Sequence, residues 1–141
     1  IVMMVQKEVA ERLESGPGTK AYGSMSVYVQ YHSQPEIVDI VPSTVFLPSP
    51  DVTSAIVRLT PRPAPVEVPS EELFFDVVHC AFGQRRKTLL NSLTKCPPLN
   101  LPREAVAAIL AESNIDPFRR AETLSLEEFA CIARTVADRK D

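Results

Sequence analysis

Proline placement constrains this 141-residue chain more than any other feature of its sequence. Seven of the 13 prolines lie between Pro42 and Pro69. Proline fixes φ, lacks an amide hydrogen and pushes the residue before it out of the helical region, so regular helix is excluded there. The densest cluster, residues 63–69, is predicted to be a linker. The chain therefore divides into an amino-terminal unit, residues 1–62, and a carboxy-terminal unit, residues 70–141.

Short β-branched runs bounded by prolines predict strands in the amino-terminal unit. Residues 36–41 and 54–59 have this pattern, and the apolar run 1–5 predicts a buried strand that leads into a short helical turn. A chain that opens inside a buried strand is expected to be the carboxy-terminal piece of a longer protein. Residues 22–32 stay ambiguous, because their apolar positions fit both strand alternation and one face of a helix.

Helical periodicity dominates everything after the linker. Apolar pairs recur at helical spacing over residues 71–93, with Gly83 as a break or kink, and a second helix is predicted over 102–113. A third helix begins at a capping box formed by Ser125 and Glu128. The expected fold is a few strands followed by a small all-helical domain.

Charge and cysteine content exclude several classes of protein. The net charge is −3 with 45% hydrophobic residues, and the longest apolar runs are far below the roughly 20 residues of a membrane span. The three cysteines are Cys80, Cys96 and Cys131, and their spacing matches no zinc or redox motif. We therefore expect packed thiols in a reduced, intracellular chain, with neither a metal site nor a membrane partner.

Positive charge is concentrated in one segment of this net-acidic chain. No acidic residue lies between Asp76 and Glu104. The five cations that fall in this segment or at its end are Arg85, Arg86, Lys87, Lys95 and Arg103. Such a local excess indicates a phosphate-facing surface, although a solvated helix face is the alternative explanation.

Phe46 is the second candidate functional residue. It stands in a proline-rich loop whose backbone is stiff and extended, which orders the ring at low entropic cost. A nucleobase stacked on such a ring contributes roughly 1–3 kcal/mol. A plain core position is the alternative for Phe46.

Five ordered motifs carry a family resemblance over nearly the whole chain. They are VQKEVAERL at 5–13, PGTKAYG at 17–23, VFLPSPDVTS at 45–54, RRKTL at 85–89, and DP at 116–117 with RAETLS at 120–125. Together they resemble the KsgA-type ribosomal RNA adenine dimethyltransferases.

The resemblance implies an enzyme that transfers methyl groups from S-adenosylmethionine to two adjacent adenosines, in a hairpin near the 3′ end of small-subunit rRNA. The resemblance implies that residues 1–62 are an α/β remnant, the last strands of a Rossmann-like methyltransferase sheet. It also implies that residues 22–32 form a helix. Residues 70–141 are then a small helical domain that helps grip rRNA. A cytoplasmic protein whose partner is the small ribosomal subunit is expected.

The resemblance also assigns roles to individual side chains. Phe46 matches the aromatic residue that stacks on the flipped target adenine. The candidate RNA-binding cations are Lys7, Lys20, Arg85, Arg86 and Lys87. For Lys7 and Lys20, an ordinary solvated surface charge is the alternative.

The family's catalytic and cofactor motifs are expected to lie outside this chain. Its glycine-rich cofactor loop, acidic ribose-binding residue and Asn-Leu-Pro-Tyr motif precede the matched segment, and no Asn-x-Pro-Tyr occurs here. We therefore expect no catalytic and no cofactor-binding residue in these 141 residues, and no S-adenosylmethionine binding or methyl transfer by them alone. Two alternatives stay open: a macrolide-resistance methyltransferase of large-subunit rRNA, and a non-catalytic RNA-binding or ribosome-assembly module.

Overall fold

The fold is α/β, with a small sheet followed by helices. The computed structural model describes residues 1–45, 53–84 and 86–140, and within them the chain has three β-strands and six α-helices. These are β1 (Val2–Gln6), α1 (Lys7–Glu14), α2 (Ser24–His32), β2 (Ser33–Val41), β3 (Ser54–Pro61), α3 (Glu71–Phe82), α4 (Leu89–Leu93), α5 (Arg103–Glu112) and α6 (Leu126–Lys140). Two 3₁₀ turns are Ser43–Val45 and Ala121–Thr123. The order confirms a strand-containing segment followed by a helical one.

The strands form one antiparallel sheet in the order β1–β3–β2. The central strand β3 pairs on both sides, so that Ala55 lies opposite Val5 on β1 and Ile40 on β2. A β-bulge between Ile37 and Asp39 shifts the register of β2. The strands predicted at 36–41 and 54–59 are therefore confirmed, and both are longer than the sequence pattern indicated.

Helices α1 and α2 cover one face of this sheet. Ala55 and Val57 of β3 are buried against Ala10 and Leu13 of α1, and Val29 of α2 packs at the margin of the same cluster. This small apolar cluster is the core of the amino-terminal segment.

The predicted burial of residues 1–5 is wrong, although the strand itself is confirmed. Ile1, Val2 and Met4 are 76%, 65% and 54% exposed. Among the described residues, β1 pairs only with β3, and helices cover only one face of the sheet. An apolar run becomes a buried strand only when neighbours close both its edges and its faces.

Helix α2 resolves the ambiguous segment and joins the sheet to the helical core. Tyr22, Val27 and Tyr31 are buried in the helical core, where the Tyr31 ring lies 5.1 Å from that of Phe74. Four-residue spacing between Val27 and Tyr31 places both on one helix face. Ser26 fixes the start of the helix, since its Oγ accepts from the Gly23 amide at 3.1 Å and donates to the Arg12 carbonyl.

The helical core encloses the buried faces of α3 to α6. Its largest fully buried side chains include Phe74, Leu89, Leu110 and Phe129. The apolar pattern over 71–93 is divided as predicted, because α3 ends at Phe82, before Gly83, and α4 begins at Leu89. The predicted second helix is α5, which begins directly after Pro102.

The proline-rich segment after β3 lies against the helical core. Val66 and Val68 pack onto that core, and Arg134 of α6 donates to the Glu67 carbonyl at 2.6 Å. The segment holds no helix or strand, as its prolines predict.

The capping box at the start of α6 is confirmed and carries an added ion pair. The Glu128 amide donates to Ser125 Oγ at 3.2 Å, and the Ser125 amide donates to Glu128 Oε1 at 3.0 Å. Arg119 donates to both carboxylate oxygens of Glu128 and, through Nη2, to the Thr123 carbonyl at 2.6 Å. One carboxylate therefore joins the helix start to the preceding segment.

The expectation of reduced, packed thiols is wrong for two of the three cysteines. Cys80 on the last turn of α3 and Cys96 after α4 form a disulfide with a Cα–Cα distance of 5.9 Å. Cys131 on α6 is a free, half-buried thiol, in agreement with that expectation. Linear spacing gave no sign of the pair, because it is created by the return of the chain from α4 alongside α3.

Replacing Glu128 by Gln should destabilise the protein by about 1–2 kcal/mol at neutral pH, because the amide has no negative charge to pair with Arg119 and only one oxygen to accept its hydrogen bonds. The Arg119 hydrogen bond holds the pKa of Glu128 below its ordinary value and outweighs the opposing effect of partial burial. A carboxylate with a lowered pKa stabilises the fold above its unfolded-state pKa and loses this effect as the pH falls through its folded-state pKa.

Urea unfolding at several pH values measures this difference, which should shrink as the solution is acidified below about pH 4. The matched control is Glu127→Gln, whose ion pair with Arg134 is exposed and should contribute less than about 0.5 kcal/mol. Equal losses of stability in the two variants would contradict the role of Glu128.

Candidate nucleic-acid interface

Two of the predicted RNA-binding cations line a single charged cleft. Lys20 lies in the loop between α1 and α2, and Arg86 lies in the turn between α3 and α4. The cleft has a volume of about 740 Å³. Its lining residues are Glu8, Glu11, Arg12, Lys20, Ala21, Arg86, Arg120 and Glu122. The fold thus brings Lys20 and Arg86 together with two further arginines from opposite parts of the sequence.

A backbone hydrogen bond positions the loop that carries Lys20. The Gly18 amide donates to the Glu122 carbonyl at 2.7 Å, which joins the loop after α1 to the 3₁₀ turn before α6. Gly18 has φ of 86°, a left-handed conformation that glycine adopts without steric cost. Thr19 Oγ1 also donates to the Gly16 carbonyl at 2.8 Å. The loop therefore holds Lys20 beside the helical segment.

The part of the lining around Arg86 and Arg120 is positioned by bonds between α4 and the segment that precedes Arg120. The Leu89 amide donates to the Arg119 carbonyl at 2.8 Å, and the Leu90 amide donates to the Pro117 carbonyl at 3.1 Å. Amides at the helix start, which have no partner within the helix, thereby gain acceptors. Because the Arg119 side chain is fixed on Glu128, the backbone around Arg120 is held on both sides. Arg86 and Arg120 consequently line the same cleft.

The charges of the cleft are nearly balanced. Four cationic side chains face three carboxylates along its lining. Arg12 lies 3.7 Å from Glu8, in an i,i+4 pair whose side chains are 42% and 82% exposed. Such exposed pairs contribute little, typically about 0–1 kcal/mol, so a phosphate can replace the carboxylate at small cost. The lining is therefore charged and carries one more cation than carboxylate.

The other predicted site residues are distributed outside the cleft. Lys7 begins α1 and lies 3.8 Å from Glu11, and it does not line the cleft. Lys87 is exposed next to Arg86. Phe46 and Arg85 lie outside the described residues, so their predicted roles remain predictions.

Arg120 is the site residue that sequence reasoning missed. For Arg12, near the end of the predicted first strand, the sequence left open both an RNA contact and a solvated surface charge. Arg120 belongs to one of the matched motifs, but it stands outside the acid-free segment that drew attention to the other cations. Arg12 is separated from it by more than a hundred residues. A basic cluster assembled from such distant positions leaves no local charge pattern.

Two other kinds of site are absent from the ranges 1–45, 53–84 and 86–140. These ranges contain no group of three or more His, Cys, Asp or Glu side chains placed to hold a metal ion. No helix there has the length and apolar character needed to cross a membrane.

One protein-family model matches nearly the whole chain. The model of the ribosomal RNA adenine dimethylases matches residues 1–138. The chain belongs to the ribosomal RNA adenine dimethylase family. All the lining residues of the cleft lie within the matched segment.

Curated relatives in this family are similar along the full chain. Ribosomal RNA small subunit methyltransferase A of Pelotomaculum thermopropionicum is 55% identical over 139 residues, which cover 98% of this chain and 47% of the relative. The protein of the same name from a Geobacillus strain is 49% identical over 142 residues, with 96% and 47% coverage. The chain therefore spans about half the length of the curated relatives it matches.

Solved structures show the same fold at lower sequence identity. A dimethyladenosine transferase from Plasmodium falciparum has a TM-score of 0.70 and 24% identity, covering 93% of this chain and 54% of that one. The 23S rRNA methyltransferase ErmE has a TM-score of 0.63 and 22% identity, with 96% and 54% coverage. At these identities the likeness concerns the fold.

Replacing Arg86 or Arg120 by Gln should weaken binding of an RNA hairpin across all sequences tested, because each substitution removes one positive charge from the cleft. The slope of log affinity against log salt should become shallower by about one for each phosphate that is no longer neutralised. Fluorescence anisotropy over a series of salt concentrations measures both quantities.

The matched control is Arg139→Gln, because Arg139 pairs with Glu112 at 3.0 Å and does not line the cleft. This variant should keep the affinity and slope of the parent. If Arg86→Gln and Arg120→Gln also kept both, the cleft would be a solvated surface.

Proposed function

We propose that this chain is part of an S-adenosylmethionine-dependent enzyme that dimethylates two adjacent adenosines in the 3′-terminal hairpin of small-subunit rRNA. The observation that carries the proposal is the similarity to small-subunit methyltransferases at 49–55% identity over almost the entire chain. The proposal places the protein in the cytoplasm, with the assembling small ribosomal subunit as its partner.

In the proposed enzyme, these residues bind and orient the RNA substrate. The cleft offers Arg12, Lys20, Arg86 and Arg120 to phosphates, and Lys87 extends the positive surface beside Arg86. Phosphate contacts fix the register and orientation of a nucleic acid without reading its sequence. Proper placement of the hairpin is a precondition for moving the target base from its stack to the site of methyl transfer.

The charged cleft and the loop of Gly16 and Gly18 are poor matches for the cofactor. S-adenosylmethionine carries an adenine ring, whereas the cleft is lined by four cations, three carboxylates and Ala21, with no aromatic or branched aliphatic side chain to pack against that ring. Gly16 and Gly18 flank a proline, but they follow a helix, and the Gly18 amide is already bonded to Glu122. We therefore assign cofactor binding to the part of the enzyme outside this segment, and S-adenosylmethionine supplies the methyl group there.

The sheet supports the assignment of cofactor binding to a part of the enzyme outside this segment. Within the described residues, β1 leaves one edge without a partner strand, and Val2 and Met4 are exposed on the uncovered side. We propose that β1, β2 and β3 are the last strands of a larger Rossmann-like sheet. The remaining half of the relatives' length is enough to supply the other strands and the cofactor site.

Large-subunit rRNA is the alternative substrate. ErmE, a 23S rRNA methyltransferase, shares the fold, so the fold is compatible with either rRNA. The curated relatives named for the small subunit have more than twice the sequence identity, so we favour the small subunit. A non-catalytic RNA-binding module is the other alternative, because the cleft by itself is suited to RNA.

A chimera tests these three functions directly. The part of the P. thermopropionicum relative outside the matched segment is joined to this chain, and the intact relative is the positive control. Methyl incorporation from labelled S-adenosylmethionine is measured on small-subunit and large-subunit rRNA and mapped by mass spectrometry. We expect two neighbouring dimethyladenosines in the small-subunit hairpin. Methylation of large-subunit RNA alone would favour the ErmE-like substrate, and RNA binding by a folded but inactive chimera would favour the non-catalytic module.

Replacing Phe46 by Ala in this chimera should lower kcat by about 10- to 100-fold with little change in RNA affinity, because the stacking energy is gained after the base is flipped. Phe46→Tyr keeps an aromatic ring and should retain activity, whereas Phe46→Leu keeps apolar bulk alone and should not. Single-turnover methylation and anisotropy separate the two effects. Full activity of the Leu variant would show that Phe46 acts by packing.

A further inference from the structure

The disulfide between Cys80 and Cys96 encloses the turn that carries Arg86 and Lys87. The two cysteines are 16 positions apart, and the turn and α4 lie between them. The Cα–Cα distance of 5.9 Å falls within the range of about 4.4–6.8 Å that disulfides require. We propose that Cys80 and Cys96 are a reversible redox site whose oxidation restrains this basic turn, defined by Gln84, Arg86 and Lys87.

Burial differs between the two cysteines in a way that suits reversible chemistry. Cys80 is 1% exposed on the last turn of α3, whereas Cys96 is half-buried and open to solvent on one side. A small oxidant or a dithiol therefore reaches Cys96 first. Cys80 is already in place to complete the bond.

The reduced state is also accommodated by the surrounding backbone. Cys80 Sγ lies 3.4 Å and Cys96 Sγ 3.3 Å from the Pro97 carbonyl oxygen, and Cys80 Sγ lies 3.7 Å from the Cys96 carbonyl oxygen. As thiols, both groups can donate to these acceptors. Acceptors for both thiols are therefore already next to the two sulfur atoms in the oxidised structure.

The segment that bears Cys96 is itself rigid, which allows the bond to restrain its neighbours. The Lys95 amide donates to the Leu101 carbonyl at 2.8 Å, and the Asn100 amide donates to the Cys96 carbonyl at 2.9 Å. Tying this closed loop to α3 fixes both sides of the basic turn. Within the turn itself, the Lys87 amide donates to the Gln84 carbonyl at 2.9 Å, and Arg86 and Lys87 are exposed.

The redox step balances with a peroxide as the oxidant. The Cys96 thiolate attacks one oxygen of hydrogen peroxide, the O–O bond breaks, and a sulfenic acid and hydroxide form. The Cys80 sulfur then attacks the Cys96 sulfur and displaces the second hydroxide. The two thiol protons convert both hydroxides to water, so two thiols and one peroxide give one disulfide and two waters. Exchange with a dithiol returns both cysteines to the thiol form.

Thiol counting on the purified protein tests the site. After treatment with dithiothreitol, all three cysteines should react with a thiol reagent in denaturant, and after mild peroxide only Cys131 should react. Peptide mapping without reduction should find the link between Cys80 and Cys96 within one chain. Three reactive thiols after peroxide, or a link between two chains, would overturn the proposal.

Two further readouts test the restraint. The oxidised protein should melt about 5–10 °C higher than the reduced one, as expected for a closed loop of this length. Hydrogen exchange at the amides of Arg86 and Lys87 should be slower. Cys96→Ser should abolish both differences, and Cys131→Ser should retain them as the matched control. Identical melting and exchange in the two redox states would show that the bond restrains nothing.

The expected effect of the disulfide on RNA affinity rests on the proposed function, whereas the formation of the disulfide and its restraint of the basic turn do not. Ordering of Arg86 and Lys87 before binding should make the oxidised protein bind the RNA hairpin about two- to tenfold more tightly. Equal affinity in both states would overturn a regulatory role for the site. Absence of RNA binding in both states, with the disulfide intact, would instead count against the proposed function.

Discussion

The packing of α2 between the sheet and the helical core is the interaction on which the rest of the structure depends. Val29 contacts the apolar cluster under the sheet, while Val27 and Tyr31 are buried with Phe74 of α3. A helix with two buried faces cannot shift against one partner without separating from the other. It therefore fixes α1 and its loop, which carry Arg12 and Lys20, relative to α3 and α4, and the turn between α3 and α4 carries Arg86.

Backbone hydrogen bonds, more than ion pairs, determine where the cations of the cleft lie. Gly18 is bonded to Glu122, and the start of α4 is bonded to the carbonyls of Pro117 and Arg119. The ion pair of Arg12 with Glu8, by contrast, is exposed and weak. The backbone thus fixes where the cations lie, while a weak ion pair such as that of Arg12 can be broken at small cost. A cation of this kind can exchange its carboxylate for a phosphate.

Features encoded by neighbouring residues were predicted well, and features that depend on distant partners were not. The capping box of Ser125 and Glu128 and the break at Gly83 each depend on a few adjacent side chains, and both are confirmed. The burial of residues 1–5 was predicted wrongly because it depends on which strands and helices surround β1. The free-thiol expectation failed for Cys80 and Cys96 for the same reason, since their contact is made by a chain reversal.

The sequence by itself determined most of the strands and helices, the helix boundaries near prolines and caps, and the family, because these depend on local dihedral preferences and on motifs read along the chain. Only the tertiary structure decided that Arg12, Lys20, Arg86 and Arg120 line one cleft and that two cysteines meet. The physical reason is that side chains far apart in the sequence become neighbours only after the helices have packed. No local free-energy preference of the chain encodes that proximity.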